Sequence, residues 1–402
     1  MRILIVSQYF WPENFIINDL ALRLTDIGDE VIVLTGNPGY PNKKEFAEFY
    51  KNKTSFSKLK KITIYRAPLI SRGKSYLSLF FNYLSFVVTA STLGIFKIRS
   101  INADKILVFQ TSPVFSAIPA IIYAKFKGVP LAIWVLDLWP HTILDMNIFS
   151  NLIWRKILRW ISFYIYDCCD LILVQSKKFI PILKSELKNP NIKYFPNWPL
   201  IDLQGKEITY SKIIKKVPGI FTVMYAGNVG KAQDFESVIS AFDLLRNHKN
   251  IRLIIVGDGS AIHFVKEKVL HMNLKNILLV GSHPKDEMPL IIKHADALLV
   301  PLEKRVIFSL TIPAKLQAYM TSGKPILGMV DGEASRIIKE SKSGLISKAG
   351  DFKSLAENII YLSKQKHTAL KEFGLNGIKY VNQHFNSIKS IHKLRGYLHE
   401  LS

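Results

Sequence analysis

Two lysines stand where phosphate charge could be met. Lys231 closes the run Ala226-Gly227-Asn228-Val229-Gly230-Lys231, and Lys315 closes Thr311-Ile312-Pro313-Ala314-Lys315. An ammonium on a flexible stem is a mobile point charge suited to a phosphate oxygen. Both lysines follow apolar runs, and so do several glycines. The runs 221–225, 251–256, 277–280 and 297–300 pass into Gly227-Asn228, Gly257-Asp258-Gly259, Gly281-Ser282-His283 and Pro301. If these runs are strands of one parallel sheet, their exits lie side by side, and glycine there lets a phosphate approach the backbone. The stretch 311–327 reads as a short helix between two buried strands, with Pro313 in its first turn and Gly323 and Pro325 as its stop. Such a helix points unpaired N–H groups and a positive dipole end beyond the preceding strand. An ordinary αβ unit would show the same pattern, but the series of exits points to nucleotide binding in the second half of the chain.

In the first half, Asp137-Leu138-Trp139-Pro140-His141 follows an apolar run and sets a carboxylate, an indole and an imidazole at a strand exit. A site cluster and a helix cap at Asp137 with a packed Trp139 both fit. The turn-rich run 35–41, which contains Tyr40, also stands at a strand end and faces the ligand side. Several chemistries lack their motifs. There is no Gly-x-Gly-x-x-Gly, no Gly-x4-Gly-Lys-Ser/Thr and no Asp-x-Asp, and no His/carboxylate cluster has metal-ligand spacing. A dinucleotide enzyme and a P-loop NTPase drop in rank, and no cofactor or bound metal is expected.

The elements that must position these residues are alternating strands and helices. Strand-like runs at 3–6, 31–34, 62–65, 106–109, 131–135 and 171–174 enclose helical segments, beginning with an amphipathic helix over 16–24 that closes near Gly28. The pattern predicts a doubly wound α/β sheet with right-handed crossovers. Periodicity then fades from Pro196 to Gly219, which places a linker there, before the second βα series begins. Expected domains are 1–200 and 201–380, with 381–402 as a final helix packing back on the first domain. The 402 residues suit two such domains.

The net charge is +23, which calls for a polyanionic neighbour: nucleic acid, anionic lipid or a phosphorylated substrate. Segment 43–127 holds 15 Lys/Arg against 3 Asp/Glu, whereas the rest of the first 200 residues balances at 10 against 10. That segment includes 77–96, twenty residues without a charge, flanked by Lys74, Lys97 and Arg99. Its Asn82, serines and threonines argue against a spanning helix and leave a buried or a membrane-surface helix open. Trp154-Arg-Lys-Ile-Leu-Arg-Trp160 puts three cations and two indoles within seven residues that would not all share one helix face, and leaves membrane contact or a solvated, packed helix open. The adjacent Cys168 and Cys169 fit free thiols in a reducing cytosol, and the N-terminus lacks a signal-peptide pattern.

Seven stretches in order resemble one family: Gln8-Tyr-Phe-Trp-Pro-Glu13, the run 35–41, Asp137-Leu-Trp-Pro140, Pro196-Asn197, Tyr225-Ala-Gly-Asn-Val-Gly-Lys-Ala-Gln233, Val256-Gly-Asp-Gly-Ser260, and Pro313-Ala-Lys-Leu-Gln-Ala-Tyr-Met-Thr-Ser-Gly-Lys-Pro325. Over nearly its whole length the chain resembles a family 4 glycosyltransferase of the GT-B fold, nearest the bacterial surface-polysaccharide branch that includes L-fucosamine transferases of O-antigen clusters. The resemblance implies two Rossmann-like domains facing each other across a cleft. It also implies metal-free, retaining transfer from a nucleotide sugar, UDP-linked, to an acceptor on the first domain. For O-antigen or capsule synthesis that acceptor would be carried on undecaprenyl diphosphate, at an anionic membrane surface on the inner face of the bacterial plasma membrane. Nucleic acid is not expected as a partner.

By position, Gly227, Asn228 and Lys231 match the loop that meets the diphosphate, and Gly257 belongs to the neighbouring exit. Gly281, Ser282 and His283 match the loop near the base, and Thr311, Pro313 and Lys315, with Gln317 behind them, match the helix over the phosphates. In the first domain the resemblance gives Glu13 and Asn14 to the loop over the donor phosphates and Asp137, His141 and Tyr40 to the acceptor. Lys231, Lys315 and Asp137 would serve catalysis. The sequence also departs from the family. The Glu-x7-Glu pair is replaced by Leu310 and Ala318, and the usual diphosphate Arg and Lys fall on Asn228 and Gln233, so phosphate charge is assigned to Lys231 and Lys315. Two rivals share parts of this pattern: a UDP-sugar epimerase of the same fold, and a non-catalytic basic protein binding membrane or nucleic acid.

Overall fold

The computed structural model describes residues 1–40, 43–73, 75–145, 151–200 and 216–401. Most of the expected linker, 201–215, lies outside the described residues, as do Pro41 and Lys74. The chain divides into two compact units: Met1–Pro196 together with the chain from Ile388 onward, and Asn197–Ser387.

The first unit is built on eight strands: β1 (Arg2–Ser7), β2 (Glu30–Gly36), β3 (Lys58–Leu59), β4 (Ile62–Ala67), β5 (Lys105–Gln110), β6 (Leu131–Val135), β7 (Leu171–Val174) and β8 (Ile192–Tyr194). Their order in the sheet is β3-β4-β2-β1-β5-β6-β7-β8. All neighbours are parallel except β3 and β4. Ile3, Leu4, Ile5 and Val6 are fully buried, as a parallel strand covered on both faces requires. The chain leaves β1 toward β2 on one side and has β5 on the other, so a topological switch point lies at the end of β1. The unforeseen strands, β3 and β8, are two and three residues long at the sheet edges, too short and too polar to show as apolar runs.

Helix Ile16–Asp26 turns Ile17, Leu20, Ala21 and Leu24 inward, the spacing of one helical face. The final helix, Ser387–His399, is fixed to this unit by Arg395, whose guanidinium lies 3.2 Å from buried Asp29. The uncharged stretch 77–96 forms helix Tyr76–Thr89, a π turn at Ala90–Gly94 and helix Ile95–Ile98. Only one stripe of it is buried: Asn82, Phe86, Ala90, Gly94 and Ile98.

The second unit has β9 (Phe221–Ala226), β10 (Ile251–Val256), β11 (Ile277–Gly281), β12 (Ala297–Pro301), β13 (Ile326–Met329) and β14 (Gly344–Ser347). Their order is β11-β10-β9-β12-β13-β14, and all are parallel. Alternate residues feed two cores. Val223, Tyr225, Leu253 and Ile255 enter one, and Met224, Ala226, Ile254 and Val256 the other. The switch point falls between β9 and β12.

Between β12 and β13 the chain forms two helices, Val306–Leu310 and Ala314–Met320, where the sequence pattern suggested one. Pro313 is the cap residue of the second, with extended backbone, and not a member of its first turn. Proline before a helix excludes its neighbour Ile312 from the α region, which separates the two helices. Tyr319 fastens the second helix to the sheet. Its buried hydroxyl accepts from the Ala226 amide at 2.6 Å and donates to the Ala226 carbonyl at 2.8 Å. Tyr319→Phe would leave two buried main-chain groups unpaired, and a loss of about 3 kcal/mol in urea unfolding of this unit is expected. An unchanged midpoint would show that the bridge contributes nothing.

Candidate active site

Bonds at the end of β9 draw three strand exits together. Gly227 N donates to Val256 O at 2.8 Å, Gly257 N to Gly281 O at 2.7 Å and Val229 N to Asp258 O at 2.9 Å. Gly257 has φ +143°, and a Cβ there would fall 1.9 Å from the Gly227 carbonyl oxygen. Only glycine permits that approach. Bonds of this kind occupy three amides of the loop. Gly227, Val229 and Gly230 use theirs internally, the last on the Gln233 side chain at 2.9 Å.

Lys315 fills the space beside Gly227. Its Nζ lies 3.4 Å from the centre of the Tyr225 ring, and a Cβ at Gly227 would come within 3.0 Å of that nitrogen. The aromatic face attracts the cation, but no carboxylate pairs with it among the described residues. Burial lowers its pKa from 10.5 to about 7. Tyr225 and Tyr319, which sequence reasoning missed, therefore build this corner. Lys315 and Tyr319 are four apart on one helix, a spacing that puts both on the face toward β9.

Lys231 is exposed in the short turn Lys231–Gln233 that follows the glycine loop. Asn228 is also exposed. At the β11 exit, Gly281 and Ser282 are exposed, while His283 has Nδ1 3.2 Å from Glu287 and a buried Nε2 without a hydrogen-bond partner. Two of the expected donor residues are otherwise occupied. Gln317 is buried, and its Nε2 donates to Asn197 O at 2.7 Å; Thr311 donates its hydroxyl to Phe308 O at 3.3 Å. Both side chains hold backbone carbonyls.

The first-unit residues fall in two places. Beyond β1, Glu13 is buried, and its Oε1 accepts from Gly39 N at 2.9 Å and Tyr40 N at 2.7 Å, while Oε2 has no partner. It holds the loop at Gly39 and Tyr40 from below. Asn14, next to it, is exposed. Arg66 lies nearby, donates to Gly36 O at 2.9 Å and to Trp11 O, and has its pKa lowered to about 10 by burial. Tyr40, Tyr9, Tyr50, Arg72, Lys43 and Glu13 line a shallow, open pocket. Arg72 donates to the Tyr9 hydroxyl at 2.9 Å and lies 4.9 Å from the centre of the Tyr40 ring.

Asp137 and His141 follow β6. The cap alternative for Asp137 fails, because the Trp139 N–H donates to the Tyr166 hydroxyl at 3.2 Å and Pro140 has no N–H. Burial raises the Asp137 pKa to about 6. Burial, with Arg159 assisting, lowers that of His141, whose Nδ1 has no partner. Trp139 is packed, and its indole N–H donates to Ser112 at 3.0 Å.

Two parallel α/β units, the second with a glycine-lined switch point, define the GT-B architecture of glycosyltransferases. Residues 207–380 match the family described as Glycosyl transferases group 1, so the second unit carries a domain of that kind. The chain is 26% identical over 255 residues to "Probable glycosyltransferase WbjE" of Pseudomonas aeruginosa, covering 60% of this chain and 63% of that protein. It is 22% identical over 342 residues to "Putative colanic acid biosynthesis glycosyl transferase WcaI" of Escherichia coli (strain K12), covering 80% of this chain and 82% of that one. Anabaena Alr3699/HepE, solved in complex with UDP and glucose, superposes with a TM-score of 0.67 at 14% identity, over 100% of both chains.

The position of Glu13 sets a pH dependence. Burial lifts its pKa from 4.5 to about 7, so between these values the folded chain holds a proton that the unfolded chain has released. Its contribution to stability is intact below about pH 4.5 and is lost as pH rises through 7, by about 3 kcal/mol. Glu13→Gln keeps an acceptor for Gly39 and Tyr40, and the wild-type minus variant stability should fall across that window in paired urea titrations. A difference that stays flat with pH would remove the assignment.

Proposed function

We propose that this protein is a retaining, metal-independent family 4 glycosyltransferase of the hexosyltransferase type. It would move a sugar of the N-acetyl-fucosamine kind from a UDP-sugar to a saccharide carried on undecaprenyl diphosphate, in O-antigen or capsule synthesis. The observation that carries the reading is Lys315, a partly buried cation at the β9–β12 switch point with no carboxylate beside it. Breaking the anomeric C–O bond leaves negative charge on the departing UDP, and a preorganised cation there lowers the barrier. Lys231, at the other side of the glycine loop, is the second candidate for that charge. The name of the colanic acid relative supports a polysaccharide pathway, and the UDP bound by Alr3699/HepE supports a uridine donor. Asp137, near its ionisation midpoint, and His141, kept neutral, are offered for the acceptor hydroxyl, with the Tyr40 pocket for its saccharide. The basic segment 43–127 supports an acceptor held at the inner face of the plasma membrane, where the enzyme would be peripheral.

Lys315→Ala and Lys231→Ala should each lower UDP release from a UDP-sugar with acceptor present by about a hundredfold, with circular dichroism unchanged. Near-wild-type turnover in both would remove the catalytic assignment. A thermal-shift panel tests the donor: UDP should raise Tm more than GDP, through binding to the folded state alone. No shift with any nucleotide would overturn the main reading.

Lys315 adds a sharper test. With a pKa near 7 in the free protein, it is mostly neutral at pH 8, and a diphosphate beside it would restore its proton. UDP binding at pH 8 should take up a fraction of a proton, seen as a buffer-dependent calorimetric enthalpy that disappears in Lys315→Met. An enthalpy independent of buffer would place the diphosphate elsewhere.

A further inference from the structure

Among the described residues, fifteen of the 26 exposed large hydrophobics lie on helical segments 76–98, 118–127 and 152–167 of the first unit. Monomer surfaces seldom gather apolar side chains this way. These segments adjoin one another. Segment 76–98 and helix Ile118–Lys127 pack together through the π turn, and Lys125 of the latter lies 6.0 Å from the Tyr164 ring centre on helix Leu152–Asp167. Trp160 stacks on Tyr164 at 5.9 Å and is 69% exposed; Trp154 is 61% exposed.

Charge on the same segments is six cations against one carboxylate, Asp167, with Arg159 paired to Glu186. The cations are Lys97, Lys125, Lys127, Arg155, Lys156 and Arg159. We infer that these three segments form a face that seats the protein on an anionic bilayer, with Trp154 and Trp160 at the level of the headgroups and Leu77–Ile98 lying along the surface. A two-fold pairing of this face with a second copy would set cations against cations, whereas an anionic leaflet complements them. Indoles and basic residues around an apolar strip are the composition of an interfacial element.

Leu77–Ile98 has the length and mean hydropathy, 1.6, of a span, with 22% of that window buried in the protein. Its buried stripe rules out a crossing in this fold. Asn82 donates to Ile70 O at 2.6 Å and accepts from Gln8 at 3.0 Å, and a Cβ at Gly94 would come within 2.9 Å of Leu34 on β2. The stripe recurs every four residues, so on a regular α-helix it would advance about 40° around the axis at each step. The wider π turn at Ala90–Gly94 offsets that advance and holds one side against the protein while the other stays apolar and open.

This inference names the surface behind the peripheral location proposed above and does not depend on the reaction. The test is flotation of the full chain with phosphatidylcholine vesicles, with and without phosphatidylglycerol, in low salt. The wild type should float with anionic vesicles, and brominated acyl chains should quench its tryptophan emission. Trp154→Ser/Trp160→Ser should bind about tenfold more weakly, lose most of the quenching, and keep the wild-type Tm and UDP-induced shift. Sodium carbonate should release bound wild type from the vesicles. Wild type left unfloated, equal binding to neutral vesicles, quenching unchanged in the double variant, or resistance to carbonate would each overturn the inference. So would a wild-type dimer in solution that the double variant abolishes. Loss of the UDP shift in every form, with flotation intact, would count against the catalytic reading alone.

Discussion

The second unit depends on how one helix is fixed to the end of one strand. Tyr319 closes two hydrogen bonds on the main chain of Ala226, and Lys315, one turn earlier, is held over the ring of Tyr225. Together they place an ammonium at the point where the sheet reverses direction. The position is electrostatically expensive. A pKa lowered from 10.5 to about 7 corresponds to a charged form disfavoured by several kcal/mol, at about 1.4 kcal/mol per unit. An ordinary structural lysine would turn to solvent or find a carboxylate. A lysine kept with neither is suited to a ligand that brings its own negative charge.

The first unit handles buried charge differently. Glu13 and Arg66 both lose water, and the carboxylate shifts up while the guanidinium shifts down. Their attraction opposes both shifts, yet desolvation remains the largest cause in each. What they hold is backbone: Glu13 fixes the amides of Gly39 and Tyr40, and Arg66 the carbonyls of Gly36 and Trp11. The two residues therefore shape the loops after β1 and β2, which carry Tyr9 and Tyr40 into the pocket. Among the described residues the second unit offers in Lys315 a lysine without a carboxylate partner, and the first offers a pocket whose loops are braced from below.

Much of this was legible in the sequence, because buried parallel strands are unbroken apolar runs and their exits carry glycine and proline. The runs at 131–135, 171–174 and 251–256 coincide with β6, β7 and β10. Edge strands β3, β8 and β14 were not, since pairing on one side alone leaves little apolar signature. Side-chain direction was also hidden. Gln317 lies two residues after Lys315, but a helix rotates it about 200° away, and it binds the Asn197 carbonyl instead of a donor. Glu13 was placed in a plausible loop, but its carboxylate turns inward toward amides whose position depends on the whole sheet. The uncharged stretch 77–96 was ambiguous because composition does not say which stripe packs; the stripe through Phe86 and Ala90 does.

The glycine loop bears on which groups could carry the chemistry. A loop that offered its amides to phosphate would need them unpaired before a ligand arrives. Here Gly227, Val229 and Gly230 are already bonded within the unit. The glycines serve another purpose, since Gly257 lies so close to the Gly227 carbonyl that any side chain would force the exits apart. Three of the loop's amides are thus spent on the floor that these exits form. Those three amides being taken, the side chains nearest the loop that could meet the charge of a departing diphosphate are Lys315 from the helix and Lys231 from the turn. Two lysines with unequal burial are not interchangeable in that task. Lys231, exposed, is screened by water, whereas Lys315 has weaker screening and gains its charge most fully when an anion is beside it.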